Sequence, residues 1–441
     1  MSDFRVIFSI LFFSILFVVI SCEAAFAQSG ADYKLLQSIQ KTLCNTYKTD
    51  QCRRDPDAYR KISSVLIENF VRRNALKWSK EEIDKVVEES NRDTVTPYDV
   101  PGERTLLRWL YDRVVKAATS AGVSAPPAPA LGSSGAPQVN AFTVTDENSH
   151  AILFNGRMIE LAERYTLAAL RTDNLALTDK GVSVGSGPGI FADRVAKDPK
   201  RTVTAFTAWT EHFLDFPVDV AALDDGGDAT TLYLLLNIRD SIEVFVMAHE
   251  FGHLIMHSGK DVPLDAGKSQ SEQTHENSLS WVRELEADLF AITMLQNIEL
   301  GELKERDVPR DFYVFAPLLY FTCQDVLRRA ATVINDGVDR ELSSTDDLRT
   351  FRHIAEHVLR NNGNAVGTFV VDPTFPEPTT SHPPPALRRE FIRKILEGDG
   401  RHLSPVAAST IGNLLRLWEL ATPTFDALNK NGKRVGVLMM N

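Results

Sequence analysis

Between residues 244 and 257 the chain sets three histidines and a glutamate into a run of Val, Phe, Met, Leu and Ile that no proline interrupts. The run reads as a helix. His249 and His253 are four apart, so on a helix both imidazoles leave from one face, one turn apart. Two ring nitrogens placed in this way can reach one zinc ion at about 2.0–2.1 Å. Glu250 lies to the side of that face, where it can hold a metal-bound water and take its proton. The plainer alternative for the same residues is a core helix with two buried histidines. His257 extends the series by a further turn of about 5.4 Å. Three successive turns do not converge easily on one tetrahedral ion, so His257 is left outside the ligand set.

A catalytic zinc of this kind needs a third protein ligand and an open fourth position. Residues 279–295 give a second predicted helix, with Asn277 or Ser278 as its N-cap. Glu284 and Asp288 are four apart and share a face. A carboxylate at the first position can ligate the ion. One at the second can accept the free ring N–H of a ligating histidine and so fix its tautomer. Glu286, two positions along, competes for the ligand role. A solvated acidic face is the plainer account, but Trp281, Phe290 and Met294 interleave with the acids, and Leu285, Leu289 and Ile292 suit a core.

The pair His249-Glu250-Phe251-Gly252-His253 and Glu284-Leu285-Glu286-Ala287-Asp288 resembles the gluzincin pattern of the HtpX and CAAX prenyl endopeptidase family, whose second motif reads Glu-x-x-Ala-Asp. Asn140-Ala141-Phe142, followed by the alternating residues 150–155, resembles that family's edge strand before the catalytic helix. Ser381-His382-Pro383-Pro384, followed by Arg388, resembles its Thr-His-Pro-Pro segment. The resemblance covers residues 140–396 in short islands. It departs from the family in the long segment 162–240 and in lacking multiple membrane spans, which argues against membrane-embedded substrates. The ImmA/IrrE-type peptidases have a similar two-motif arrangement, including a histidine placed like His257.

The resemblance implies a mainly α fold with a small β-sheet (α+β), a zincin-like metallopeptidase domain preceded by a small helical domain. It implies one zinc per chain, held by His249, His253 and Glu284. Glu250 would be the general base, Asp288 would orient a zinc-bound histidine, and His382 would help stabilise the oxyanion. An edge strand around residues 150–155 would pair with an extended substrate backbone. The expected activity is that of an exported zinc endopeptidase acting on protein or peptide substrates, with envelope protein quality control as one setting. The alternatives are an ImmA/IrrE-like regulatory peptidase with a single target and a zinc-binding interaction module without turnover.

Residues 6–20 are apolar, and Ala25-Phe26-Ala27 follows, the pattern of a secretory signal peptide cut after Ala27. The apolar run is shorter than the roughly 20 residues of a spanning helix. No stable membrane span is therefore expected after cleavage, and the mature protein is expected to be periplasmic or secreted. Residues 19–22 also resemble a lipobox, in which Cys22 would carry lipid. A formal net charge of −11 and the lack of any long Lys/Arg block argue against a nucleic-acid partner. Cys44 and Cys52 could close a small loop disulfide, whereas Cys323 sits in an apolar stretch and reads as a buried thiol.

The chain divides by composition into a signal peptide (1–27), a helical N-terminal domain (28–120), a Pro/Ala/Gly/Ser linker (121–139) and the metallopeptidase domain (140–441). The N-terminal domain could dock a partner. In it Ser79 and Glu82 form a capping box ahead of Ile83, Val86 and Val87. Further helices are expected over 158–170, 312–336 and 343–359, and strands within 144–154. Residues 202–206 and 231–236 are strand candidates, although the second could open the helix leading to His249. The glycine-rich residues 181–189 read as an irregular loop, and the proline-rich residues 369–385 lead to His382. His353 and His357 also have helical spacing, but no carboxylate follows His353, so both read as structural or surface histidines.

Overall fold

The computed structural model describes residues 30–47, 79–92, 96, 98–99, 103–134, 140–146, 149–178, 181–218, 228–256, 270–302, 310–338, 345–361, 378, 380 and 382–435. The expected signal peptide, Cys52, Val86's side chain and His257 lie outside the described residues. The fold is mainly helical with a small mixed sheet, as the sequence suggests. Among the described residues no helix is long and apolar enough to cross a membrane.

The helix α7 (Ala229–Met256) is the axis of the molecule. Residues 244–248 and Phe251 and Leu254 are all buried, because apolar side chains project around the whole circumference. Four helices pack on it: α3 (Glu103–Ser120), α4 (Gly156–Leu170), α8 (Gln270–Glu302) and α9 (Arg310–Asp336). An outer layer follows, with α10 (Thr345–Arg360) on α8, α11 (Pro385–Gly398) on α8 and α9, and α12 (Pro405–Lys430) along α9. The residues 231–236, a strand candidate, belong to α7, and 202–206 run through a π-helical turn (Lys200–Thr204) into α6 (Ala205–Phe213). Short apolar runs do not distinguish a buried strand from a buried helix, and continuation of the run decides. The α8 helix begins at Gln270, so Asn277 and Ser278 lie inside it rather than capping it.

The three-stranded sheet has the order β1 (Ala130–Ser134), β3 (Ser149–Asn155), β2 (Ala141–Asp146). β3 pairs parallel to β1 and antiparallel to β2. Two expectations are corrected here. Residues 150–155 form the central strand and offer no free edge; the edge strands are β1 and β2, and of these β2 lines the cavity described below. Residues 130–134, expected in a flexible linker, form a fully buried strand. Their small side chains, which suggested a linker, suit a strand with a helix lying close upon it. A Cβ on Gly132 would stand 2.7 Å from Leu36 Cδ2 of α1 (Gly30–Tyr47).

That helix covers one face of the sheet, with Leu36 against Ala130, Ala151 and Leu153, while Leu131, Ile152 and Phe154 face the main core. The alternation along β3 is the period of two that a strand buried on both faces requires. Gln40 adds a buried polar tie, donating to Asp99 Oδ1 (2.8 Å) and to the Ser133 carbonyl (2.7 Å). Leu107, Leu110 and Tyr111 of α3 belong to the main core. α1, α3 and β1 thus share packing with the elements that follow residue 140.

The capping box forms as the sequence suggests: Ser79 N–H donates to Glu82 Oε2 (2.6 Å) and Glu82 N–H to Ser79 Oγ (3.2 Å), opening α2 (Lys80–Arg92). The glycine-rich stretch is not an irregular loop. Gly181–Gly185 is strand β5, in a hairpin with β4 (Asn174–Thr178), and α5 (Pro188–Lys197) follows at once.

Candidate metal centre

Where α8 crosses α7, Gly252 faces the backbone of Ala287. A Cβ at position 252 would lie 3.4 Å from Ala287 Cα and 3.3 Å from Phe290 Cδ1. The two small residues let the helices close on each other, and this brings Glu284 and Asp288 against the histidine face of α7. His249 Nε2 and His253 Nε2 are 3.1 Å apart. Glu284 Oε2 is 3.4 Å from His249 Nε2, and Glu284 Oε1 is 3.3 Å from His253 Nε2. Among the described residues these three side chains form the one group of His, Cys, Asp and Glu close enough together to hold a metal ion. Ligand atoms about 2.0–2.1 Å from a tetrahedral ion are separated by about 3.3–3.4 Å. Each histidine nitrogen stands near that spacing from one of the two Glu284 oxygens, so the three side chains could hold a metal ion. Glu286 is buried elsewhere and does not line the cavity.

Behind the donors, Asp288 Oδ1 lies 3.0 Å from His249 Nδ1, which leaves Nε2 as the donor nitrogen. Burial works against a charged His249, but its hydrogen bonds to Asp288 and Glu284 outweigh this and raise its pKa to about 9 in the metal-free protein. Burial also opposes charge on Glu284, yet His382, Arg388 and the two histidines hold its carboxyl well below the usual range. The same contest keeps Asp288 low, chiefly through the Arg388 guanidinium.

Sequence reasoning quoted Arg388 within a motif but gave it no role. It stands in the first turn of α11, stacks over the Phe321 ring at 4.5 Å, and bonds Asp288 through Nε (2.9 Å) and Nη2 (2.6 Å). Its Nη1 is 3.1 Å from Glu284 Oε2. The signal for it in the sequence was its place shortly after His382 and the prolines.

The donors open into a cavity of about 580 Å³. Asn140 and residues 141–143 of β2, Glu250, Tyr320, Gln324, Arg283, Arg328 and His382 are among its lining residues. His382 is one-third exposed, with Nε2 3.3 Å from Glu284 Oε1. The segment before it is fastened to α8: Trp281 Nε1 donates to the Thr380 carbonyl (2.8 Å) and Asn277 Nδ2 to the Pro378 carbonyl (3.1 Å). Glu250 is buried on the cavity wall, and Thr143 Oγ1 lies 2.9 Å from its Oε2. Nothing in the sequence pointed to Thr143. His353 and His357 sit on α10, outside the cavity lining. Cys323 is fully buried, and burial pushes its thiol pKa up.

No family model matches the chain, and no curated protein or solved structure matches it.

Proposed function

We propose that this chain is an exported zinc endopeptidase of gluzincin type, acting on protein or peptide substrates. The observation that carries the reading is the convergence of His249, His253 and Glu284, whose donor atoms lie within 4.8 Å of one another, with Glu250 on the wall of the same cavity. Two nitrogens and one carboxylate oxygen suit zinc, and three protein ligands with a fourth position open are the pattern of catalytic sites. Zinc bound there supplies a Lewis acid that polarises water and the scissile carbonyl.

The chain's own groups supply the rest. Glu250 takes a proton from the attacking water and returns one to the leaving amine. Asp288 accepts the Nδ1–H of His249 and holds that ring in its donor tautomer, while Arg388 holds Asp288. His382 donates toward the carbonyl oxygen as negative charge develops there. The outer edge of β2, which no other described strand pairs, offers backbone groups to an extended peptide at the cavity mouth. Export rests on the apolar run at residues 6–20 and on Ala25-Phe26-Ala27.

The test is hydrolysis of an unfolded protein by the zinc-loaded chain, with Glu250→Gln as the comparison. Turnover that depends on both zinc and Glu250 supports the reading. Stoichiometric zinc without any turnover favours a non-catalytic zinc module instead.

A further inference from the structure

Glu250 is held from outside its own helix by one side chain on strand β2. Thr143 Oγ1 is 2.9 Å from the Glu250 backbone carbonyl oxygen and 2.9 Å from Glu250 Oε2. Both acceptors belong to the same residue. The hydroxyl has a single proton, shared between the two acceptors as a three-centre bond; the carbonyl side of it ties the hydroxyl to α7, and the carboxylate side restrains the Glu250 side-chain torsions. A glutamate has three such torsions and no preferred orientation toward a neighbouring water unless something fixes them. Thr143 itself is fixed, since it is β-branched and stands on a strand paired opposite Ile152 of the buried β3. It also lies on the edge where a substrate backbone would pair.

Resting on the peptidase reading, we propose that Thr143 is the positioning residue of the general base: its hydroxyl holds Oε2 of Glu250 and leaves the other carboxylate oxygen to take the proton. A misplacement of about 1 Å costs on the order of 10²-fold in rate. The effect belongs chiefly in kcat, because the Thr143 hydroxyl acts through Glu250.

The experiment compares wild type, Thr143→Val and Thr143→Ser. Valine keeps the branched shape and loses the donor; serine keeps the donor and loses the methyl. Thr143→Val is expected to lower kcat about 10- to 100-fold, with KM changed less than about twofold. Zinc content stays at the wild-type value, and Thr143→Ser restores kcat to within about threefold of wild type. A kcat unchanged in Thr143→Val, a loss confined to KM, or a failure of serine to rescue overturns the proposal.

A second readout needs no activity. Urea unfolding of the metal-free protein is measured for Thr143→Val, Glu250→Ala and the double variant. Non-additive effects are expected, because the two side chains touch; additive effects overturn the contact. If Thr143→Val does not fold, Thr143→Ala replaces it in both measurements. A wild type without hydrolysis contradicts the peptidase reading, while the urea cycle still decides whether Thr143 holds Glu250.

Discussion

At the residue scale, the His249, His253 and Glu284 cluster depends on positions outside it. Gly252 is one. A side chain there meets Ala287 Cα and Phe290 at 3.4 and 3.3 Å, so larger residues must push α8 away from α7. Gly252→Val is expected to cost about 1–3 kcal/mol by overpacking. It should also weaken zinc binding at least about tenfold, read by chelator competition, since moving Glu284 by even a fraction of an ångström spoils the donor spacing. Unchanged zinc affinity would show that the small-residue contact does not set that spacing. His249 gives a second expectation. In the metal-free protein its pKa is raised from 6.5 to about 9. A raised histidine contributes stability fully below its unfolded pKa and loses it as pH rises through the folded pKa. The melting temperature of the metal-free protein should therefore fall between pH 6.5 and 9, by a drop that the zinc-loaded protein lacks because its His249 is neutral. Zinc binding at pH 7.5 should release about one proton from His249, measured calorimetrically in buffers of different ionisation enthalpy.

At the element scale, the account turns on which strand is the edge and which helix lies on the sheet. β1 is covered by α1 and paired to β3, so Leu36→Ala is expected to cost about 2–5 kcal/mol in urea unfolding, the usual range for a buried leucine. A loss below about 1 kcal/mol would mean that α1 sits only loosely on the sheet. That His249 and His253 share one face, and Glu284 and Asp288 another, was legible in the sequence because helical spacing fixes geometry locally: four residues apart means one face, whatever the rest of the chain does. Pairing partners lie far apart in sequence and leave no such trace. Nothing in residues 150–155 says that β1 lies beyond them, which is why that strand reads as an edge and proves central. Ala130-Leu131-Gly132-Ser133-Ser134 reads as a linker because small residues suit both a flexible chain and a strand under a close helix. Arg388 is visible only as spacing until α11 brings it against Asp288, about 100 positions away in the chain.

At the scale of the whole molecule, the N-terminal helices share the core with the region after residue 140. A chain beginning at residue 140 would lack β1, α1 and α3, leaving β3 unpaired on one side and Leu131's and Leu110's places in the core empty. It is expected to lack cooperative thermal unfolding by circular dichroism; a cooperative melt with bound zinc would show an independent domain. The central claim is that one buried cluster binds zinc and that Glu250, beside it, does the proton transfer. The most direct test is zinc content and hydrolysis rate measured together on wild type and Glu250→Gln. The account predicts about one zinc per chain and an unchanged melt in both, with hydrolysis lower in the variant by at least about 10²–10⁴-fold, the typical contribution of a general base. Hydrolysis that survives at the wild-type rate with zinc in place would contradict it.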